Sequence, residues 1–163
     1  MAGAAKPHLF LESRFDLWHP DLSPDGHWMA YVSFESGTAE VYVQAHPGPG
    51  EKIRISPAFG FDPLWTAGGR ELLYRSGTKD GRQQFFSATI RSLSPFQFDA
   101  PRLLFEKKPG EYDTTAPERS WHVSPDGKRF LLLRSVPTND KPVTSLHVVL
   151  NWQEELKKRV PAR

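Results

Sequence analysis

The sequence predicts an all-β chain: a partial β-propeller of about three four-stranded antiparallel blades, with a short C-terminal α-helix. Three observations predict it. The turn Ser23-Pro24-Asp25-Gly26 returns as Ser124-Pro125-Asp126-Gly127, and a degenerate copy, Thr66-Ala67-Gly68-Gly69, stands between them. Ser23 and Thr66 lie 43 residues apart, and Thr66 and Ser124 lie 58 apart, about one repeat plus an inserted loop. Short runs rich in aromatic and branched residues flank each turn. A period of roughly 40–45 residues built on a turn-marked hairpin is the mark of propeller blades.

The turn explains the hairpin. Proline fixes the φ that the first central position of a type I turn needs, and aspartate can bond nearby backbone amides. Gly26, Gly69 and Gly127 supply the positive φ that closes a three-residue loop with a bulge. After the first turn, Trp28, Ala30 and Val32 alternate with Met29 and Tyr31, so both faces of this strand are apolar. Alternation over 39–45 predicts a third strand, and 53–56 a short fourth.

The second repeat follows the same plan: a hairpin around Thr66, a third strand over 84–90, an irregular loop over 93–101 and a fourth strand over 102–106. The segment 107–118 is rich in Pro, Gly, Asp and Thr and reads as an exposed loop. A third repeat has its hairpin around Ser124, a loop over 137–142 and a third strand over 145–150. The blades are thus expected at 15–56, 61–106 and 119–151, in a single domain over 1–163. Residues 7–12 resemble 101–106 and are expected to be a leading outer strand. Asn151 with Glu154 forms a capping box, and Trp152, Leu156 and Val160 share a face, which predicts a helix over 152–160.

Composition narrows the function. Of the 163 residues, 38% are hydrophobic and 25% charged, the balance of a globular chain. A net charge of +2 provides no strong field for nucleic acid or an acidic membrane. Cysteine is absent, which removes disulfides, thiolate zinc sites and thiol nucleophiles. The residues given contain no secretory h-region and no apolar run long enough to span a bilayer. The compartment is therefore unassigned.

No serine sits in a Gly-x-Ser-x-Gly elbow, and there is neither a kinase glycine loop nor a His-Arg-Asp loop. The segment from Pro47 to Lys52 lacks the phosphate-loop pattern. No catalytic, cofactor or metal residue is assigned. Asp25 and Asp126 offer one carboxylate each where a calcium loop needs several oxygens, so turn formation is the better reading. Ser23, Pro24, Asp25, Gly26, Gly69, Ser124, Pro125, Asp126 and Gly127 are structural turn residues. His19, Asp21, Asp62 and His122 precede their hairpins on inner strands, where side chains line a central channel; ordinary hydrogen-bonded strand residues are the competing reading. The tryptophans belong to blade packing, Trp18 being the least clear.

These motifs resemble the WD40-like repeats of TolB-type propellers. Within that class the chain is similar to the C-terminal propeller region of bacterial, notably acidobacterial, proteins described as serine/threonine kinases. The residues concerned are His19-Pro20-Asp21-Leu22 with the first turn, Glu40-Val41-Tyr42-Val43, Trp65, Glu71-Leu72-Leu73-Tyr74, the third turn, and Val148-Val149-Leu150-Asn151-Trp152. The resemblance implies a non-catalytic module for protein interaction or ligand sensing, with the relatives' propellers placed outside the cytoplasm. It carries no kinase activity to these residues. Two other readings stand beside it: the substrate-gating propeller of a prolyl-oligopeptidase-type hydrolase, or a truncated gene. The closing helix argues against a following hydrolase domain. A protein partner, unidentified, is expected, with no nucleic acid, membrane insertion or cofactor. Three blades do not close a ring, which points to a homodimer completing six, Leu9-Phe10-Leu11 filling the partner's last blade.

Overall fold

A computed structural model describes residues 9–48, 50–112 and 119–134. It is built from antiparallel sheets in chain order. The first sheet holds β1 (Leu17–Leu22), β2 (Trp28–Ser33), β3 (Glu40–Ala45) and β4 (Lys52–Arg54), in the order β1-β2-β3-β4. The second holds β5 (Phe61–Trp65), β6 (Glu71–Gly77), β7 (Gln83–Leu93), β8 (Phe96–Phe98) and β9 (Arg102–Lys107). There β5, β6 and β7 pair in sequence, and both β8 and β9 pair with β7. The third sheet is the hairpin β10 (Trp121–Val123) and β11 (Phe130–Leu132). This is the all-β, repeated-sheet architecture of a partial propeller. No helix among the described residues is long and apolar enough to cross a membrane.

The three turns close alike. The amides of Gly26, Gly69 and Gly127 donate to the carbonyls of Ser23, Thr66 and Ser124, each at 2.8 Å. The glycines sit at φ 76°, 64° and 71°, where a side chain would be strained. In the first turn the Ser23 hydroxyl donates to Asp25 Oδ1 (2.5 Å) and accepts from the Trp28 amide (2.9 Å), while the His27 amide donates to the same carboxylate oxygen (3.0 Å). Ser124, Asp126, Lys128 and Arg129 repeat all three bonds. In the second turn Gly68 replaces the aspartate, and Thr66 Oγ1 alone bridges to the Glu71 backbone. The carboxylate is therefore a turn device that one copy does without.

Two apolar layers join the sheets. Ala30, Val32, Val41, Val43 and Ile55 of the first sheet pack on Trp65, Leu72, Tyr74 and Ala88 of the second. Leu64, Leu73 and Phe85 on the opposite face pack on Trp121 and Val123 of the third, joined by Tyr112. Phe85 is the centre of that second layer, with the rings of Phe105, Tyr112 and Trp121 at 4.6, 5.5 and 5.3 Å.

Three expectations change. The irregular loop expected over 93–101 is a hairpin: β7 runs on to Leu93 and β8 returns along it. Phe96 on β8 reaches across to Trp28 of the first sheet, centroids 4.5 Å apart, so the extension clasps two blades. Of the loop expected to be exposed over 107–118, residues 107–112 are described: Lys107 ends β9 and Tyr112 is buried against Phe85. Of the leading strand expected over 7–12, residues 9–12 are described and pair with no sheet; Phe10 instead lies 5.4 Å from His46 in the first sheet. The third strand at 145–150 and the helix at 152–160 lie outside the described residues.

Candidate functional site

The inner strands β1, β5 and β10 bring the four residues singled out before the hairpins into one region. His19 and Asp62 occupy equivalent positions 43 residues apart, each followed by proline. Both have positive φ, 49° and 52°, and both sit at a break in strand register, between Trp18 and Asp21 and between Phe61 and Leu64. Proline has no amide to donate to the ladder, so pairing cannot run through it. The third copy has Trp121 in place of the proline, and its register is continuous. A left-handed residue that is not glycine costs on the order of 1–2 kcal/mol, and such strain concentrates at functional or over-determined sites.

The strain turns the two side chains toward each other. His19 Nδ1 lies 2.8 Å from Asp62 Oδ1 across the boundary between the first two sheets. Arg75 Nε of the second sheet donates to Asp62 Oδ2 at 2.5 Å, and its NH1 donates to Gln83 at 3.0 Å. Asp62 is 1% exposed, so its charge is compensated inside the protein. The Arg75 guanidinium also stands 4.8 Å from the Phe61 ring and 5.9 Å from that of Tyr112. The Ser120 hydroxyl donates to Tyr112 Oη at 2.6 Å. Ser120 occupies the third copy of the His19 position, so equivalent sites in three successive repeats are joined through Asp62, Arg75 and the ring of Tyr112.

Asp21 performs a different task. Its Oδ2 accepts the backbone amide of Trp65 at 2.7 Å, and its Oδ1 lies 3.5 Å from Arg119 NH2. One carboxylate thereby ties the first sheet to the second and to the approach to the third. Asp21 and His122 face a common cavity of about 260 Å³, lined also by Leu22, Trp65 and Val123 among others, at the turn end of the three inner strands. His122 is exposed and its Nδ1 lies 2.7 Å from the Val123 carbonyl. Among the described residues the indole N–H groups of Trp65 and Trp121 and the Nε of Arg119 have no acceptor.

The titratable groups away from this region are framework. The Asp25 carboxyl is held below the ordinary carboxylate range, first by the Ser23 hydroxyl and then by the His27 amide. Asp126 is held down in the same way by Ser124 and Lys128. Burial pushes the phenols of Tyr31 and Tyr74 up to about 12. No group of three or more His, Cys, Asp or Glu with metal-binding geometry occurs among the described residues.

Sequence reasoning singled out His19, Asp21, Asp62 and His122 and did not single out Arg75, Arg119 and Tyr112, which the structure places beside them. The signal for Arg75 was present: a charged residue directly after the apolar run Leu72-Leu73-Tyr74. Tyr112 had a weaker one, a lone aromatic in a polar stretch.

Comparisons with known proteins find similarity over part of the chain. A TolB from Vesicomyosocius okutanii, a Tol-Pal system protein, is 34% identical over 92 residues, 55% of this chain and 21% of the relative. The similarity is to TolB. The TolB of Alkalilimnicola ehrlichii is 39% identical over 61 residues, 37% of this chain and 14% of that protein. This chain therefore spans about a fifth or less of the curated TolB proteins it matches. Among solved structures, TolB from Acinetobacter baumannii aligns over 88% of this chain and 42% of its own, with 18% identity and a TM-score of 0.49. No protein-family profile matches.

Proposed function

We propose that the chain is a non-catalytic propeller module that binds a protein partner, with the cavity around Asp21 and His122 as its recognition site. The observation that carries this reading is the convergence of three repeats on one cavity lined by Asp21, Trp65 and His122. Rigid sheets holding a polar, concave site at strand ends suit recognition of a loop or peptide. The TolB relatives bear the name of the Tol-Pal system, so a protein of that system is the partner class to test first. The 163 residues form one domain in this reading, with blades over 15–56, 61–106 and 119–151, and His19 and Asp62 hold the channel wall in place.

A finer reading, that the module is the sensing end of a serine/threonine kinase, draws on the motif resemblance alone. For the chain's own assembly, a homodimer completing a six-bladed ring is the proposed arrangement.

Titration calorimetry of the purified chain against purified Tol and Pal proteins tests the recognition site. The expected result is saturable binding to one of them, weakened about tenfold or more by Asp21→Ala or His122→Ala, as for central interface residues. Binding that both substitutions leave unchanged would exclude this cavity as the site.

A further inference from the structure

The second blade departs from the repeat plan in two places, and the two departures meet. Its turn, Thr66-Ala67-Gly68-Gly69, carries glycine where the other two turns carry aspartate. Its third strand, β7, runs on to Leu93 and returns as β8, whereas β3 of the first blade ends at Ala45. The Ile90 amide donates to the Arg70 carbonyl at 2.8 Å and seats this extension against the turn. Between turn and extension lies a groove of about 330 Å³, lined by Gly68, Gly69, Arg70, Ile90, Arg91 and Leu93 among others.

The other two turns define what such a turn holds. The His27 amide donates to Asp25 and the Lys128 amide to Asp126, each at 3.0 Å. Both carboxyls are held below the ordinary range, by the serine hydroxyl first and this amide second, so the turn is a frame that favours an anion. Arg70 stands where His27 and Lys128 stand, but Gly68 brings no carboxylate to its amide. The Thr66 hydroxyl donates instead to the Glu71 carbonyl at 3.2 Å, and a hydroxyl can rotate to a better acceptor. A Cβ at Gly68 would meet nothing within 4 Å, so the place of the carboxylate is open. The surrounding charge has the matching sign. Asp99 is paired with Arg91 at 2.5 Å and Glu71 with Arg102 at 2.9 Å, while Arg70 makes no ion pair among the described residues.

We propose that this groove binds an acidic peptide segment, whose aspartate carboxylate takes the place that Asp25 and Asp126 fill in the other two turns. The carboxylate accepts from the Arg70 amide and the Thr66 hydroxyl and faces the Arg70 guanidinium. Bonds of this charge-assisted kind are the stronger class. A neighbouring apolar side chain of the peptide lies against Ile90 and Leu93, which are half-buried in the groove wall. The template for the ligand is the chain's own aspartyl turn. This site is separate from the cavity at Asp21 and His122 and does not depend on it.

Amide NMR of the isotope-labelled full chain tests it, with acetyl-Leu-Asp-amide as the probe and acetyl-Leu-Asn-amide as the uncharged control. The Arg70 amide is expected to shift to saturation with the Asp peptide and not with the Asn peptide. The His27 and Lys128 amides, whose acceptors are internal, stay in place. Gly68→Asp supplies the carboxylate from within, as two turns already do, and is expected to abolish the response with the fold kept. Arg70→Ala, followed at the Gly69 amide, is expected to weaken binding about tenfold or more. An Arg70 amide that does not respond in the wild-type chain overturns the proposal, and so does a response confined to the residues around His122. Equal binding of the Asn peptide, or a Gly68→Asp chain that binds as tightly as wild type, also overturns it.

Discussion

His19 Nδ1 and Asp62 Oδ1 meet at 2.8 Å although 43 residues separate them, because both occupy the same place in successive repeats. Each is left-handed, each precedes proline, and the contact they make crosses from one sheet to the next. The repeat thus does more than reproduce a blade. It stations chemically different side chains at one equivalent position, and these join one blade to the next.

Asp62 compensates Arg75 inside the protein, and its removal leaves a buried guanidinium without its carboxylate. Asp62→Ala is therefore expected to cost about 3–5 kcal/mol. His19→Ala removes only the 2.8 Å contact with Asp62 Oδ1, leaves the Asp62–Arg75 pair in place, and is expected to cost about 1 kcal/mol. Urea unfolding of both variants, followed by circular dichroism, checks the order as well as the size.

The clasp made by β8 gives a second expectation. Phe96→Ala loses its contacts with Trp28 and Trp65, whose centroids lie 4.5 and 6.5 Å away. Phe96 is half-buried, so the expected loss is about 1–3 kcal/mol, below that of a fully buried phenylalanine. Near-ultraviolet circular dichroism should show the Trp28 environment change while the far-ultraviolet strand signal persists.

Much of this was legible in the chain itself, for a physical reason. A turn needing proline, a bonding side chain and a left-handed glycine leaves few residue choices, so Ser23 to Gly26 and its copies can be found by eye. The inner-strand positions of His19, Asp21, Asp62 and His122 follow from those turns. The left-handed backbone at His19 and Asp62 does not, because a residue before proline is ordinarily extended. The β8 hairpin was hidden by Ser94-Pro95, which reads as a loop although alternation continues through Phe96 and Phe98. Arg75 was missed because its partner comes from an earlier strand, a contact that local pattern does not contain.

The turn carboxylates set the acid behaviour. Asp25 ionises below the ordinary range in the folded chain, so the unfolded chain takes up the proton first as pH falls. Its contribution is complete above the unfolded value of about 3.9 and is lost as pH drops through the lower folded value. Solvent exposure keeps that contribution under about 1 kcal/mol. Asp25→Asn should flatten the fall in urea midpoint between pH 5 and pH 2, with a small change at pH 7.

The tyrosines set the alkaline limit in the opposite sense. Tyr31 and Tyr74 are pushed up to about 12 by burial, so above pH 10 the unfolded chain loses protons that the folded chain retains. Stability is expected to fall as pH rises from about 10 towards 12. Absorbance at the phenolate band should show these two phenols, and that of Tyr42, which burial and Glu40 raise further still, ionising well above the ordinary range or together with unfolding.

The account depends most on successive blades being joined through equivalent positions, and one measurement addresses that directly. A double-mutant cycle between His19→Ala and Asp62→Asn, read by urea unfolding, isolates the coupling of these two side chains. Residues in such contact are expected to show a coupling of about 0.5–3 kcal/mol. A coupling indistinguishable from zero, with both single variants folded, would contradict the joining of the first blade to the second.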